Sequence, residues 1–134
     1  MLLKVYPAVF TPEKDGGYFI EFPDVQGAYT GIDEDDDIAF GLNMAEEVLG
    51  GVLAIVIEKN MTIPLPTPIN ELKAPDGGFV TMVKVDLEDY LRDNTPVKKT
   101  LTIPKWVNEL GIRCGVNFSK LLTSAIIAEN LSEK

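Results

Sequence analysis

Lys98, Thr100 and Thr102 fall on alternate positions of a short run that stops at Pro104. In an extended strand successive side chains point to opposite faces, so these three share one face. A lysine ammonium and two threonine hydroxyls make the hydrogen bonds that base edges accept and offer, and a threonine methyl fits the methyl of thymine. Asn117, Ser119 and Lys120 follow at a point where Asn is a good helix N-cap. A helix start there turns backbone N–H groups and a lysine toward phosphate. These six are candidate DNA-binding residues. A plainer reading competes, because a Lys/Thr strand face also suits a solvated tail or a dimerisation element that never meets DNA.

Other chemistry is thinly supported. The chain has no histidine and one cysteine, Cys114. The commonest general base and the commonest zinc ligand are therefore missing, and triad-type hydrolysis with them. No metal site and no cofactor is expected. Glu21, Asp24, Asp33 and Glu46 would be the carboxylates of a Mg²⁺-dependent nuclease, if they converged. The run Asp33-Glu34-Asp35-Asp36-Asp37 is better read as a helix start, with Asp33 as a cap, since acids there meet free N–H groups and the positive dipole end. Cys114 reads as a small core residue of a helical stripe.

The elements that would position the DNA-binding candidates occupy residues 97–134. Val97 to Ile103 reads as one strand, with Leu101 and Ile103 on the face opposite the Lys/Thr set; Lys99 falls awkwardly on that apolar side. Pro104 suits the first position of a helix. Trp106, Val107, Leu110 and Cys114 then form a stripe, and Gly115 can end the helix in a left-handed conformation. Phe118, Leu121, Leu122, Ala125, Ile126 and Ala128 give the second helix a broad apolar face. Such a unit has too little core and an unpaired strand, so it is expected to dimerise. Two strands pair antiparallel as a ribbon above four interlocked helices, a ribbon-helix-helix arrangement whose ribbon fits the major groove. Leu101, Ile103, Val107, Leu110 and Leu122 are the expected dimerisation residues.

Residues 1–93 read as a separate α+β domain of order βββαβ, with 94–96 as linker. Leu2 to Phe10 is the first strand, where Pro7 suggests an edge position or a bulge. Lys14-Asp15-Gly16-Gly17 is a hairpin turn in which Asp-Gly supplies the positive φ angles, Tyr18 to Phe22 returns, and Val25 to Ile32 holds a third short strand. Ile38, Leu42, Ala45, Leu49, Val52 and Val56 repeat at helical spacing, interrupted by Gly50-Gly51, which either packs closely on the sheet or weakens the helix. Three prolines make residues 60–70 an extended connection. Phe79 to Val85 alternates as a strand, and residues 86–93 hold one helical turn.

Charge divides the same way. Residues 1–96 carry 6 basic and 18 acidic residues, a net −12, whereas residues 97–134 carry 6 basic and 3 acidic, a net +3. The basic end suits DNA and the acidic part suits a basic protein. No apolar run reaches the ~18 residues of a membrane span, Val48 to Ile57 being the best candidate. With no leader signature in MLLKVYPAVF and a lone cysteine, a cytoplasmic protein without a membrane partner is expected.

The stretches YPAVFTPEKDGGYFIEFPDVQGAYTGIDEDDD, NMTIPLPTPI, FVTMVKVDL and VKKTLTIPKWVNELGIRCGVNFSKLLTSAI, with the helix after the acidic run, cover nearly the whole chain. Together they resemble the HicB family of type II toxin–antitoxin antitoxins, in its ribbon-helix-helix branch. The resemblance implies an N-terminal domain like a degraded ribonuclease H fold, serving as a protein-binding module. It implies as partner a HicA toxin, a small basic mRNA-cleaving ribonuclease with a double-stranded-RNA-binding-like fold and a catalytic histidine. It further implies that the C-terminal module binds the operator of its own operon and represses it, as a homodimer or a higher even-numbered oligomer. Other members of the family end in a helix-turn-helix; the Pro104 stop after a single strand favours the ribbon form. No motif localises the toxin-binding residues. Two other functions compete: a transcriptional regulator whose first domain senses a ligand, which no phosphate loop or basic pocket supports, and the metal-dependent nuclease above.

Overall fold

The structure is a computed structural model that describes residues 1–131. It divides into two compact units, Met1–Asn94 and the residues from Thr95 onward. In the first unit, β1 (Leu3–Pro12), β2 (Tyr18–Glu21), β3 (Tyr29–Ile32) and β4 (Phe79–Asp86) form one antiparallel sheet of order β3-β2-β1-β4. The helix α1 (Ile38–Glu58) joins β3 to β4. Single 3₁₀ turns follow at Ile69–Glu71 and Leu87–Asp89. The second unit holds α2 (Lys105–Arg113) and α3 (Phe118–Leu131). The chain is α+β.

Alternation along the strands decides which side chains meet α1. Tyr6, Ala8 and Phe10 of β1 lie opposite Val83, Thr81 and Phe79 of β4, and Phe10 lies opposite Ile20 of β2. Tyr6, Ala8, Phe10, Ile20 and Val83 are buried with Ala45, Leu49 and Leu53 of the helix. Phe10 and Phe79 stack with ring centroids 4.5 Å apart, and Tyr18 closes on both edge-on. A side chain at Gly41 would meet Ile32, Phe10 and Ile20 within 2.9–3.5 Å, so this glycine lets the helix approach the sheet.

Several expectations are corrected. Pro7 lies neither on an outer strand nor at a bulge: β1 is interior and Pro7 pairs with Met82. It is tolerated there because β1 pairs with β2 only from Val9 to Pro12, so at Pro7 the strand is edge-like on one side. The third short strand expected within 25–32 is found there, covering Tyr29–Ile32. The hairpin turn takes its positive φ at Gly16 and Gly17, 91° and 75°, rather than at Asp15. At Gly17 a Cβ would sit 2.0 Å from the Ile32 carbonyl oxygen, so the hairpin tip folds tightly against the end of β3.

The cap of α1 is Asp37, not Asp33: its Oδ1 accepts from the Phe40 N–H at 2.8 Å, while Asp36 accepts from the Asp33 N–H at 2.8 Å. The buried face of α1 runs through Gly41, Ala45, Leu49, Gly50, Leu53 and Ala54, so Ile38 and Leu42 of the expected stripe lie on its exposed margin. Gly50 packs against Tyr90 rather than the sheet, its Cβ position lying 2.4–2.6 Å from three ring carbons; nothing lies within 4 Å of Gly51. By length and composition alone, the 21 residues of α1 could cross a membrane, contrary to the expectation that no run is long enough. Its inner face is nevertheless spent on the sheet. The helix ends with Asn60 at φ 58°, where the Asn60 and Met61 N–H groups donate to Ile57 and Val56.

The proline-rich connection is tied down by side chains. The Tyr6 hydroxyl donates to the Pro64 carbonyl. Asp24 accepts from the Thr67 N–H at 2.8 Å through one oxygen and from the Thr67 hydroxyl at 2.5 Å through the other.

Candidate functional site

In the second unit the two helices and the turn between them form as their residues dictate. Pro104 is the N-cap of α2 rather than its first residue. Cys114 caps the C-terminus, and Gly115 follows at φ 69°. The Gly115 and Val116 N–H groups donate to the Ile112 and Gly111 carbonyls, the pair of bonds that closes a glycine-terminated helix. Asn117 then starts α3: its Oδ1 accepts from the Lys120 N–H at 3.0 Å. Gly111 is buried under the Phe118 ring, which would lie 2.5 Å from any Cβ there. This glycine sets the close crossing of the two helices.

Two expectations fail within the single chain. Residues 97–103 form neither strand nor helix, because a strand needs a paired neighbour and this stretch has none among the described residues. Lys98, Thr100 and Thr102 are exposed on it, as are Leu101 and Ile103. Cys114 is exposed rather than a core residue, as are Trp106 and Leu110 of the same stripe, which nothing in the single chain covers among the described residues.

The remaining candidates lie on ordered helix. Ser119 and Lys120 are exposed in the first turn of α3; the Ser119 carbonyl accepts from the Thr123 hydroxyl at 2.8 Å. Leu110 and Leu122 are exposed and Val107 is half-buried. Trp106 is 69% exposed, Ile112 65% and Leu121 59%. Among the described residues of this unit, five are basic (Lys98, Lys99, Lys105, Arg113 and Lys120) and two acidic (Glu109 and Glu129). One weak ion pair, Lys105 to Glu109 at 4.0 Å, offsets a single positive charge.

The carboxylates of the nuclease reading are not brought together. Both Asp24 oxygens hold Thr67. Glu46 belongs to the helix on one face of the sheet, while Glu21 alternates with buried Ile20 and so faces the other. No group of three His, Cys, Asp or Glu residues placed to hold a metal ion occurs among the described residues.

Sequence reasoning missed the second face of the sheet. Odd-numbered β1 residues Leu3, Val5 and Val9 are apolar like the even-numbered core set, and Val80 and Met82 of β4 share their face. The signal was present: an antiparallel strand apolar at both parities has two faces that favour cover.

These two units match known proteins. Residues 5–74, just over half the chain, match a family described as "HicB_like antitoxin of bacterial toxin-antitoxin system". The chain belongs to that family. Antitoxin HicB 1 of Photorhabdus laumondii is 36% identical over 66 residues, 49% of this chain and 41% of that protein. Antitoxin HicB of Escherichia coli K12 is 34% identical over 65 residues, 48% of this chain and 45% of that protein. The matches thus span less than half the length of either relative. A chain of a toxin–antitoxin complex from Streptococcus pneumoniae is 35% identical with a TM-score of 0.60, over 96% of this chain and 99% of that one. The antitoxin HicB of Burkholderia pseudomallei, 20% identical, shares the fold with a TM-score of 0.56 over 93% of this chain and 98% of that one. The HicB-like character read from the sequence is thereby established.

Proposed function

We propose that this chain is a cytoplasmic antitoxin. Its acidic first unit, residues 1–93, binds and neutralises a small basic HicA-type mRNA-cleaving toxin. Its second unit, residues 97–134, pairs with a second copy to bind operator DNA and repress its own operon. The first unit is read as a degraded ribonuclease H-like fold used for protein binding, without enzymatic activity.

One observation carries the DNA-binding half. The second unit exposes nearly all of its large apolar side chains, Val97, Leu101, Ile103, Leu110, Leu121, Leu122 and Ile126 among them. A water-soluble surface rarely leaves so many large apolar side chains open, and a symmetric second copy covers them with the same residues. Pairing two copies of 97–103 turns that stretch into a ribbon, with Leu101 and Ile103 against the helices and Lys98, Thr100 and Thr102 outward. Asn117, Ser119 and Lys120 then present the start of α3 to the phosphates. The antitoxin half is supported by family membership and by the net −12 of residues 1–96, which favours a basic partner.

The test is a gel shift with the operon's own promoter region, comparing the full chain with a chain ending at residue 94. The full chain is expected to retard the fragment and the shortened chain to leave it free. Full retardation by the shortened chain would refute the assignment of DNA binding to residues 97–134.

A further inference from the structure

The sheet of the first unit has α1 on one face only. The opposite face is set by strand register: Val9 lies opposite Glu21 on one side and Val80 on the other, and Glu21 lies opposite Tyr29. Tyr29, Glu21, Val9 and Val80 therefore form one row across all four strands, on the side away from α1. The neighbouring rows add Phe19 beside Thr11, and Met82 beside Pro7, which is itself fully buried and closes the face on that side. Tyr29 is 60% exposed and Met82 40%, Glu21 is exposed, and the Phe19 and Tyr29 ring centroids are 6.0 Å apart.

An exposed carboxylate set among two aromatic rings and aliphatic side chains is a specific chemical arrangement. The carboxylate accepts two hydrogen bonds from a guanidinium, the rings attract the same cation through their faces, and the aliphatic rim excludes water from the pair. A second copy of this unit would not satisfy it. Two such faces apposed would set Glu21 near Glu21 on bodies that each carry a net −12.

We infer that this open sheet face, centred on Glu21 between Phe19, Tyr29 and Val9, is the surface on which the basic toxin docks, through an arginine or lysine seated on Glu21. The inference rests on the proposed antitoxin function and assigns it a place. Glu21 supplies the charge, Tyr29 and Phe19 the desolvated platform, and Val80 and Met82 the apolar margin. Asp24, three residues on, does not take part, because Thr67 already occupies both of its oxygens.

The test is isothermal titration of the full chain with purified cognate HicA-type toxin, for the unaltered chain and for E21K, Y29A and E58K. Glu58 ends α1 and is exposed, so E58K makes the same change in net charge away from the open face. E21K should weaken binding at least about 30-fold and Y29A about 10-fold, the range of central interface residues, with E58K within about 3-fold of the unaltered chain. Circular dichroism should be the same for all four, since both altered side chains of the face point to water. Should E21K misfold, Y29A alone carries the comparison. Absence of toxin binding by the unaltered chain would overturn the antitoxin function and this inference with it. Toxin binding that survives E21K and Y29A unchanged, or an equal loss in E58K, would overturn this inference alone. A changed oligomeric state in Y29A with toxin affinity intact would assign the face to a second copy and likewise overturn it.

Discussion

Replacing Gly50 by alanine places a methyl carbon 2.4–2.6 Å from three ring carbons of Tyr90. Ordinary carbon–carbon contact is near 3.5–4.0 Å, so the ring must retreat by about 1 Å or the helix must shift. Inside a helix, alanine is favoured over glycine by about 1 kcal/mol, but overpacking costs about 1–3 kcal/mol, so G50A should be destabilised by about 1 kcal/mol. Gly51 is the internal control, because nothing lies within 4 Å of its Cβ position. G51A should keep the whole helical gain of about 1 kcal/mol. The two neighbouring substitutions are thus expected to differ by about 2 kcal/mol with opposite signs. For a unit of this size that separates their melting temperatures by roughly 8–16 °C in differential scanning calorimetry. Adding Y90A should relieve G50A, a non-additive recovery of about 1 kcal/mol. Equal stabilisation by G50A and G51A would refute the packing of Tyr90 on α1.

Further expectations follow from the same geometry. D24A removes both bonds that hold Thr67, so it should cost about 1–3 kcal/mol and expose residues 60–68 to limited proteolysis; unchanged protection would show that the strap is held by other contacts. Burial, then Glu46 and Glu47, raises the Tyr90 phenol above its ordinary value of 10.0. The folded state therefore favours the protonated ring. This contribution is complete below pH 10 and is lost as pH rises through the folded value, so alkaline unfolding should shift to higher pH in Y90F; an unchanged alkaline midpoint would contradict it. K98A should weaken operator binding and lower the slope of log K against log salt by about 1, with toxin binding unaltered; an unchanged slope would remove Lys98 from the DNA surface.

Much of the first unit could be read from residue patterns because its signals are local. The glycine pair at 16 and 17 sets a hairpin, alternation sets β4, and the acidic run starts α1. What could not be read depended on distant chain. Nothing near Pro7 says that β2 pairs only from Val9 onward, and nothing near Gly50 announces Tyr90, forty residues away. Asp37 rather than Asp33 caps α1, a choice that five consecutive acids leave open in the sequence because each could cap a helix start. In the second unit both helices, the Gly115 stop and the Asn117 cap are written in adjacent residues. The segment 97–103 is different in kind. Its alternation is clear, yet a strand exists only with a partner, so one chain alone leaves it irregular and leaves Leu101 and Ile103 in water.

That partnership is measured most directly by sedimentation equilibrium of the full chain and of L101D. A dimer or a higher even-numbered assembly is expected for the unaltered chain. L101D should lose the pairing made through this segment and lose operator retardation with it, because a carboxylate cannot be buried at the ribbon's inner face without a partner. A monomeric unaltered chain that still binds operator, or an L101D assembly identical to the unaltered one, would contradict the ribbon.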